Sequence, residues 1–189
     1  MNIGILGAGS WGTTLAALLC ENNHTVTLWS YHARDAANMR RERRNAAYLP
    51  GLLLPEQLRI TEDVREAAAG KDMLVISTPS QFVRTVLKDV DGATLGDALV
   101  VNVAKGIENG SLLRISQVVQ RIWPQITPGR YAVLSGPSHA EEVSQKRPTT
   151  VVAASSNPRT TQRVIESFMT DSFRVYASRD VIGVELGGS

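Results

Sequence analysis

Short apolar runs alternate with segments of helical spacing along almost the whole chain. The runs predict strands at 2–6, 25–29, 58–61, 73–78, 98–103, 132–134, 149–154 and 173–177. Some runs, such as Met73-Leu74-Val75-Ile76, are apolar at every position, which is typical of strands covered by helices on both faces of a sheet. The pattern therefore predicts an α/β fold with a doubly wound, mostly parallel sheet.

The segments between the runs predict helices at 11–21, 81–90, 111–123 and 158–170, where apolar residues recur every three or four positions. Asn157 and Pro158 suit the cap and first turn of the last of these helices. The segment 40–55 shows no clear period. It predicts a long loop, and long loops in compact domains are usually functional or mobile.

Composition and charge narrow the class of protein. The 189 residues suit one domain of about 150 residues and the start of another. The net charge of only +2 argues against a nucleic-acid partner, because no basic stripe exists to neutralise phosphates. A single cysteine, Cys20, indicates a reducing compartment, and no apolar run approaches the roughly 20 residues of a membrane span. We therefore expect a cytoplasmic protein without a metal site.

A glycine-rich turn follows the first predicted strand and opens the first predicted helix. Gly7, Gly9 and Gly12 match G-x-G-x-x-G, in which the glycines allow a tight turn, close approach to a pyrophosphate and close helix–strand packing. The helix N-terminus then offers unpaired N–H groups to the phosphates. The alternative is a turn without a ligand, but the strand before it and the second strand ending at Trp29 favour a Rossmann-type dinucleotide site.

The end of the second strand bears on which dinucleotide binds. An acidic residue there normally accepts from the ribose 2′-hydroxyl and repels a 2′-phosphate, and residues 29–34 contain none. Ser30 and Arg34 can instead hold a 2′-phosphate, and Tyr31 or His32 can lie against the adenine. NADP is expected to be accepted and NAD is left open. The competing interpretation makes Arg34 and the arginines of 40–44 a solvated helix face.

Seven motifs, in chain order, closely resemble the bacterial NAD(P)-dependent glycerol-3-phosphate dehydrogenase family. They are Gly-Ala-Gly-Ser-Trp-Gly-Thr at 7–13, Tyr-Leu-Pro-Gly at 48–51, Thr-Pro-Ser-Gln at 78–81, Ala-Lys-Gly-Ile-Glu at 104–108, Leu-Ser-Gly-Pro-Ser-His-Ala-Glu-Glu-Val at 134–143, Phe-Arg-Val-Tyr at 173–176 and Gly-Val-Glu-Leu-Gly-Gly at 183–188. The resemblance implies reversible hydride transfer between a nicotinamide cofactor and the carbon linking dihydroxyacetone phosphate and sn-glycerol 3-phosphate, which supplies phospholipid synthesis.

The resemblance also assigns cofactor residues. Ser10 and Trp11 match positions that contact the cofactor, Tyr48 joins Tyr31 and His32 near the adenosine end, and Ala140 passes close to the cofactor. Pro79 follows a buried strand at the same sheet edge and is expected to border the nicotinamide; the alternative is a plain strand-to-helix turn.

Three residues are expected to bind the small-molecule substrate. Lys105 directly follows a strand at the edge where open α/β sheets hold ligands, and its ammonium can orient a substrate oxygen beside the nicotinamide. Outside this motif it would be read as a surface lysine. Gly136 and Ser138 lie in a turn that opens a helix, which suits an anion.

The family has two domains, so the resemblance implies a Rossmann domain over 1–180 and the start of a linker or first helix of a helical substrate domain over 181–189. The catalytic lysine is expected just after Ser189, which makes this chain a cofactor-binding half that is inactive alone. A homodimer is expected for the longer protein. Two alternatives are a non-catalytic NAD(P)-binding module and another two-domain dehydrogenase of the hydroxyacid or ketopantoate type.

Overall fold

The computed structural model describes residues 1–188, which form one large sheet, a small hairpin and helices on both sheet faces. The strands are β1 (Asn2–Leu6), β2 (Thr25–Trp29), β3 (Arg44–Asn45), β4 (Leu49–Leu53), β5 (Arg59–Thr61), β6 (Met73–Ile76), β7 (Leu99–Asn102), β8 (Tyr131–Ser135), β9 (Thr149–Ala154) and β10 (Phe173–Ser178). The helices are α1 (Ser10–Glu21), α2 (Ala33–Glu42), α3 (Val64–Ala68), α4 (Ser80–Lys88), α5 (Ile115–Ile122), α6 (Ala140–Ser144), α7 (Pro158–Phe168) and α8 (Val181–Gly187).

The large sheet has the order β10-β9-β8-β7-β6-β1-β2-β5. Its neighbouring strands are parallel except for the β8–β9 pair, which is antiparallel. The prediction of a doubly wound, mostly parallel sheet is confirmed. From β1 the chain winds outward through β2 to β5, and from β6 it winds the other way through β7 to β8. The crevice between β1 and β6 is thus the switch point at which such sheets bind ligands.

Both faces of the sheet are buried. Met73 and Val75 of β6 pack on the face covered by α1, α2, α6 and α7, whereas Leu74 and Ile76 pack on the face covered by α3, α4, α5 and α8. Successive side chains of a strand point to opposite faces, so this arrangement requires an apolar residue at every position. The continuous apolar runs in the sequence have this cause.

Two segments differ from the sequence prediction. The predicted loop over 40–55 is wrong: α2 extends to Glu42, Arg43 ends it in a left-handed conformation (φ 51°), and the antiparallel β3–β4 hairpin follows. The helix predicted over 111–123 is α5, which begins only at Ile115 because Leu112 also has a left-handed backbone (φ 56°). A left-handed non-glycine residue cannot continue a right-handed helix.

Helix α8 is fastened to the body of the sheet by the buried carboxylate of Glu185. This carboxylate accepts hydrogen bonds from Arg114 Nη1 at 2.7 Å, from the backbone N–H of Ser116 at 2.8 Å and from the Tyr131 hydroxyl at 2.8 Å. The end of α8 reaches Ser135, since a Cβ built on Gly188 would lie 2.1 Å from Ser135 Oγ. Across residues 1–188, every helix falls short of the length and apolarity required to cross a membrane.

Candidate functional site

The glycine turn between β1 and α1 is folded tightly against β6. Gly7 has a φ of 123°, and a Cβ there would come within 2.9 Å of the Ser77 and Thr78 backbone. A Cβ on Gly12 would lie 1.9 Å from the carbonyl oxygen of Gly7. Only glycine fits at these two positions, so the turn brings the start of α1 directly over the end of β1.

Gly9, in contrast, faces open space. It precedes α1, and a Cβ built on it would meet nothing within 4 Å among the described residues. Over residues 1–188, no side chain accepts a hydrogen bond from the first backbone N–H groups of α1, and no acidic residue stands in its first turn. A 12-residue helix therefore presents its unsatisfied N–H groups and partial positive charge to this space, which fits a pyrophosphate group.

The residues after β2 line the same sheet edge. Tyr31 is 75% exposed and makes edge-to-face contacts with Trp29 and with His32, at ring-centroid distances of 6.1 and 5.0 Å. Arg34 is exposed in the first turn of α2. Ser30 is buried and its hydroxyl donates to the carbonyl of His32 at 3.3 Å. Arg34 is thus the better placed of the two residues predicted to meet a 2′-phosphate.

The β3–β4 hairpin brings Tyr48 to the glycine turn, a connection that the sequence does not reveal. Asn45, 2% exposed, donates from Nδ2 to the carbonyl of Ala8 and to Thr13 Oγ1, both at 2.8 Å. Its Oδ1 accepts from the backbone N–H of Tyr48 at 3.3 Å. Tyr48 itself is 51% exposed, so part of its aromatic side chain is open to a ligand.

The three predicted substrate residues lie together at the carboxyl ends of β7 and β8. Lys105 Nζ donates to the backbone carbonyl of Gly136 at 3.1 Å, and the Ser138 hydroxyl donates to the same oxygen at 3.3 Å. Lys105 is exposed and Ser138 is half-buried. An ammonium, a hydroxyl and the start of α6 are therefore within reach of one anionic ligand.

The loop that carries Lys105 is held by the first turns of α4. Gln81 Nε2 donates to the carbonyl of Ile107 at 2.8 Å, and Gln81 Oε1 accepts from the N–H of Asn109 at 2.8 Å. Arg84 makes a two-pronged ion pair with Glu108, with N–O distances of 2.7 and 2.8 Å. This guanidinium, together with the Ser111 hydroxyl, lowers the pKa of Glu108 to about 2. These bonds hold residues 107–109, which follow Lys105, against α4.

The two remaining residues that were predicted to lie near the cofactor, Pro79 and Ala140, stand at the N-termini of α4 and α6. Pro79 is exposed at the N-terminus of α4, after the end of β6. Ala140 is buried at the start of α6, where its carbonyl accepts from Thr14 Oγ1 at 3.2 Å. The same hydroxyl donates to the carbonyl of Ser10 at 2.9 Å. Thr14 therefore joins the first turn of α1 to the helix that follows the substrate turn.

The sheet order, the glycine turn at the β1–β6 switch point and the uncapped start of α1 define a Rossmann-type α/β domain whose site fits a dinucleotide. Comparison with known proteins gives the particular family. The family model for the N-terminus of NAD-dependent glycerol-3-phosphate dehydrogenase matches residues 2–161 of this chain. The chain belongs to this family, as its sequence motifs predict.

Similar proteins agree over the whole chain. This chain is 47% identical over 189 residues to the glycerol-3-phosphate dehydrogenase [NAD(P)+] of Chlorobium phaeobacteroides and 49% identical over 189 residues to that of Prosthecochloris aestuarii. In both cases the match covers 100% of this chain and 57% of the relative. A crystal structure of glycerol-3-phosphate dehydrogenase from Coxiella burnetii superposes with a TM-score of 0.91 at 37% identity, covering 99% of this chain and 56% of that one. The chain thus spans a little over half the length of these relatives.

Proposed function

We propose that this chain is the cofactor-binding half of an NAD(P)-dependent glycerol-3-phosphate dehydrogenase, which interconverts sn-glycerol 3-phosphate and dihydroxyacetone phosphate. The observation that carries the proposal is the open space in front of Gly9, which faces an uncapped helix N-terminus at the switch point of the sheet. Membership of the family supplies the substrate class. The product would supply phospholipid synthesis.

In this proposal the backbone amides of the glycine turn bind the pyrophosphate. The residues assigned to this group are Gly7, Gly9, Ser10, Trp11 and Gly12. The adenosine end belongs to the residues that follow β2 and to the hairpin. They are Ser30, Tyr31, His32, Arg34 and Tyr48. Arg34 supplies the charge that allows NADP as well as NAD, because residues 29–34 contain no carboxylate that would repel a 2′-phosphate.

A bound nicotinamide would supply the hydride transfer, and Pro79, Lys105 and Ala140 are the protein residues that would border it. Lys105 orients the substrate oxygen with its ammonium, and Gly136 and Ser138 bind the substrate's anionic part at the start of α6. Lys105 and Ser138 both donate to the Gly136 carbonyl, and this closeness supports one shared substrate subsite. Glu141 and Glu142, exposed in the first turn of α6, receive no chemical role because the helix dipole explains them.

Proton transfer to and from the substrate oxygen is assigned to the lysine that the resemblance implies just after Ser189. Orientation by Lys105 does not replace a proton donor, so this chain is proposed to bind cofactor and to turn nothing over by itself. Residues 1–180 would then be the dinucleotide-binding domain, and 181–189 the start of the helical substrate domain. We further propose a cytoplasmic homodimer for the longer protein.

A calorimetric titration of the chain with NADPH and NADH tests the proposal. Saturable binding of NADPH at least as tight as that of NADH is expected. Gly9→Ala should keep the fold, since its Cβ meets no described atom within 4 Å, but the methyl group occupies the space proposed for the pyrophosphate. Its NADPH affinity should fall by roughly tenfold or more, the effect of losing a charge-assisted hydrogen bond.

Gly187→Ala is the matched control, because a Cβ at Gly187 also meets nothing within 4 Å among the described residues. It should bind NADPH like the unmodified chain. A chain that binds neither cofactor, or a Gly9→Ala variant that binds as well as its control, would contradict the site. Reduction of dihydroxyacetone phosphate by the 189-residue chain would contradict the assignment of proton transfer to a residue beyond it.

A further inference from the structure

Asn45 lies in the β3–β4 hairpin and reaches across to the glycine turn. All of its side-chain polar hydrogens are used: one Nδ2 hydrogen goes to the Ala8 carbonyl and the other to Thr13 Oγ1, both at 2.8 Å. The remaining side-chain oxygen accepts from the N–H of Tyr48 at 3.3 Å. A buried amide with three hydrogen bonds thus joins the turn, the first helix and the hairpin.

The bond to Ala8 fixes the orientation of a peptide plane inside the glycine turn. The Ala8 carbonyl belongs to the same peptide group as the N–H of Gly9, and in a trans peptide these two groups point in opposite directions. By holding the carbonyl, Asn45 directs the Gly9 N–H away from itself. On its other side Gly9 is held only through its carbonyl in α1, because glycine has little backbone preference of its own and a Cβ built on it would meet nothing within 4 Å among the described residues.

The bond to Thr13 extends this control to the helix. Thr13 is fully buried in α1, and its backbone N–H bonds to the Gly9 carbonyl at 3.0 Å. Asn45 therefore contacts the turn on one side of Gly9 and the first complete turn of α1 on the other. The two contacts hold the flanking peptide groups in an arrangement in which the start of α1 faces the open space in front of Gly9.

We propose that Asn45 is a positioning residue for the dinucleotide: it pre-orients the amides of the glycine turn for the pyrophosphate and ties the hairpin that carries Tyr48 to the same turn. This inference rests on the proposed function. Asn45 does not itself touch the cofactor in this account. Its contribution is preorganisation, because a turn already held in the binding conformation loses less conformational freedom when the ligand binds.

Asn45→Asp tests the proposal with almost no change in shape. The carboxylate loses both donated bonds and repels the Ala8 carbonyl, but it still accepts from Tyr48. Affinities are measured for NADPH, for ADP and for adenosine 2′-monophosphate, which lacks the pyrophosphate. We expect NADPH and ADP to bind about tenfold more weakly, as for the loss of one to two hydrogen bonds, and adenosine 2′-monophosphate to change by less than about twofold.

Asn22→Asp is the matched control. Asn22 also donates two bonds to backbone carbonyls, to Ser167 at 2.8 Å and to Met169 at 3.2 Å, but it stands at the opposite end of α1. It should leave all three affinities unchanged. A merely structural role for Asn45 would weaken all three ligands in proportion to the lost folded fraction, and that result, or unchanged ADP binding, would overturn the proposal.

A second measurement on the unmodified chain serves if Asn45→Asp does not fold. The side-chain amide resonances of Asn45 should be protected from hydrogen exchange and should shift when ADP is added, whereas adenosine 2′-monophosphate should leave them in place. Equal shifts with both ligands, or none with ADP, would refute the role of Asn45. If the unmodified chain binds no NADPH at all, the proposed function fails and this inference fails with it.

Discussion

Lys105 donates a hydrogen bond from its ammonium to the backbone carbonyl of Gly136 at 3.1 Å, although the two residues are 31 positions apart in the sequence. The contact exists because β7 and β8 are parallel neighbours, so the segments that follow them meet at one edge of the sheet. An ammonium has three donors, and one bond to Gly136 leaves capacity for a ligand. The lysine is therefore oriented by the turn that is proposed to bind the substrate.

Lys105→Met should separate binding from folding. Lys105 is exposed, so its loss should change the free energy of unfolding by less than about 0.5 kcal/mol. Removing a charge-assisted contact to an anion should weaken glycerol 3-phosphate binding to the NADPH-loaded protein by roughly tenfold. Titration calorimetry and urea unfolding measure the two effects. Lys88→Met, at an exposed lysine of α4, is the control; equal substrate affinity in both variants would remove Lys105 from the site.

Gly12→Ala should damage the fold itself. The new Cβ would lie 1.9 Å from the Gly7 carbonyl oxygen, so α1 would have to move away from β1. Overpacking of this kind costs about 1–3 kcal/mol, and we expect the upper part of that range because the clash is with backbone. The midpoint of urea unfolding reports it. A midpoint equal to that of Gly187→Ala would show that the helix does not approach the strand so closely.

Arg84→Met should leave a nearly buried carboxylate on Glu108, whose side chain is only 11% exposed. Breaking such a pair by removing one partner should cost more than breaking a surface pair, roughly 1–3 kcal/mol. The double variant Arg84→Met with Glu108→Gln should be less destabilised than the sum of the two single variants. Strictly additive free energies of unfolding would argue against the pair.

The acid sensitivity of the fold should depend on Glu108. Its folded-state pKa of about 2 lies below the ordinary value of 4.5, so the carboxylate contributes stability that is fully present above pH 4.5 and is lost as the pH falls through about 2. In Glu108→Gln this contribution is absent, and unfolding stability should fall less steeply between pH 4.5 and 2. Urea unfolding across that interval provides the measurement, and parallel curves for the two proteins would be the contrary result.

Arg34→Ala should change the choice between the two cofactors. The exposed guanidinium in the first turn of α2 can pair with a 2′-phosphate, which NADPH carries and NADH lacks. We expect NADPH affinity to fall about tenfold and NADH affinity to remain unchanged. Arg41→Ala removes another exposed arginine of α2, one that pairs with Glu42, and should alter neither. An equal loss of affinity for NADPH and NADH would show that Arg34 does not bind the 2′-phosphate.

How far the sequence predicts this structure depends on the range of the interactions involved. The sheet and the glycine turn follow from local patterns, and the substrate cluster follows because Lys105 and Gly136 each come just after a predicted strand. Helix α2 has no visible period, since Ala36 and Met39 are its only buried residues. The bond from Asn45 to Ala8 spans 37 positions and depends on how the hairpin folds back, which leaves no mark on the neighbouring residues.

Because β9 and β10 run antiparallel to β8, the length of α8 determines where the chain arrives beside the end of β8. Because these strands run opposite to β8, the chain leaves β10 at the sheet edge remote from Gly136, and α8 carries it back until Gly188 lies against Ser135. The hydrogen bonds of Glu185 to Arg114 and Ser116 fix the rotation of α8 about its own axis. A helix advances about 1.5 Å and turns about 100° per residue, so inserting a single residue into α8 would aim whatever follows Gly188 at a different part of the molecule.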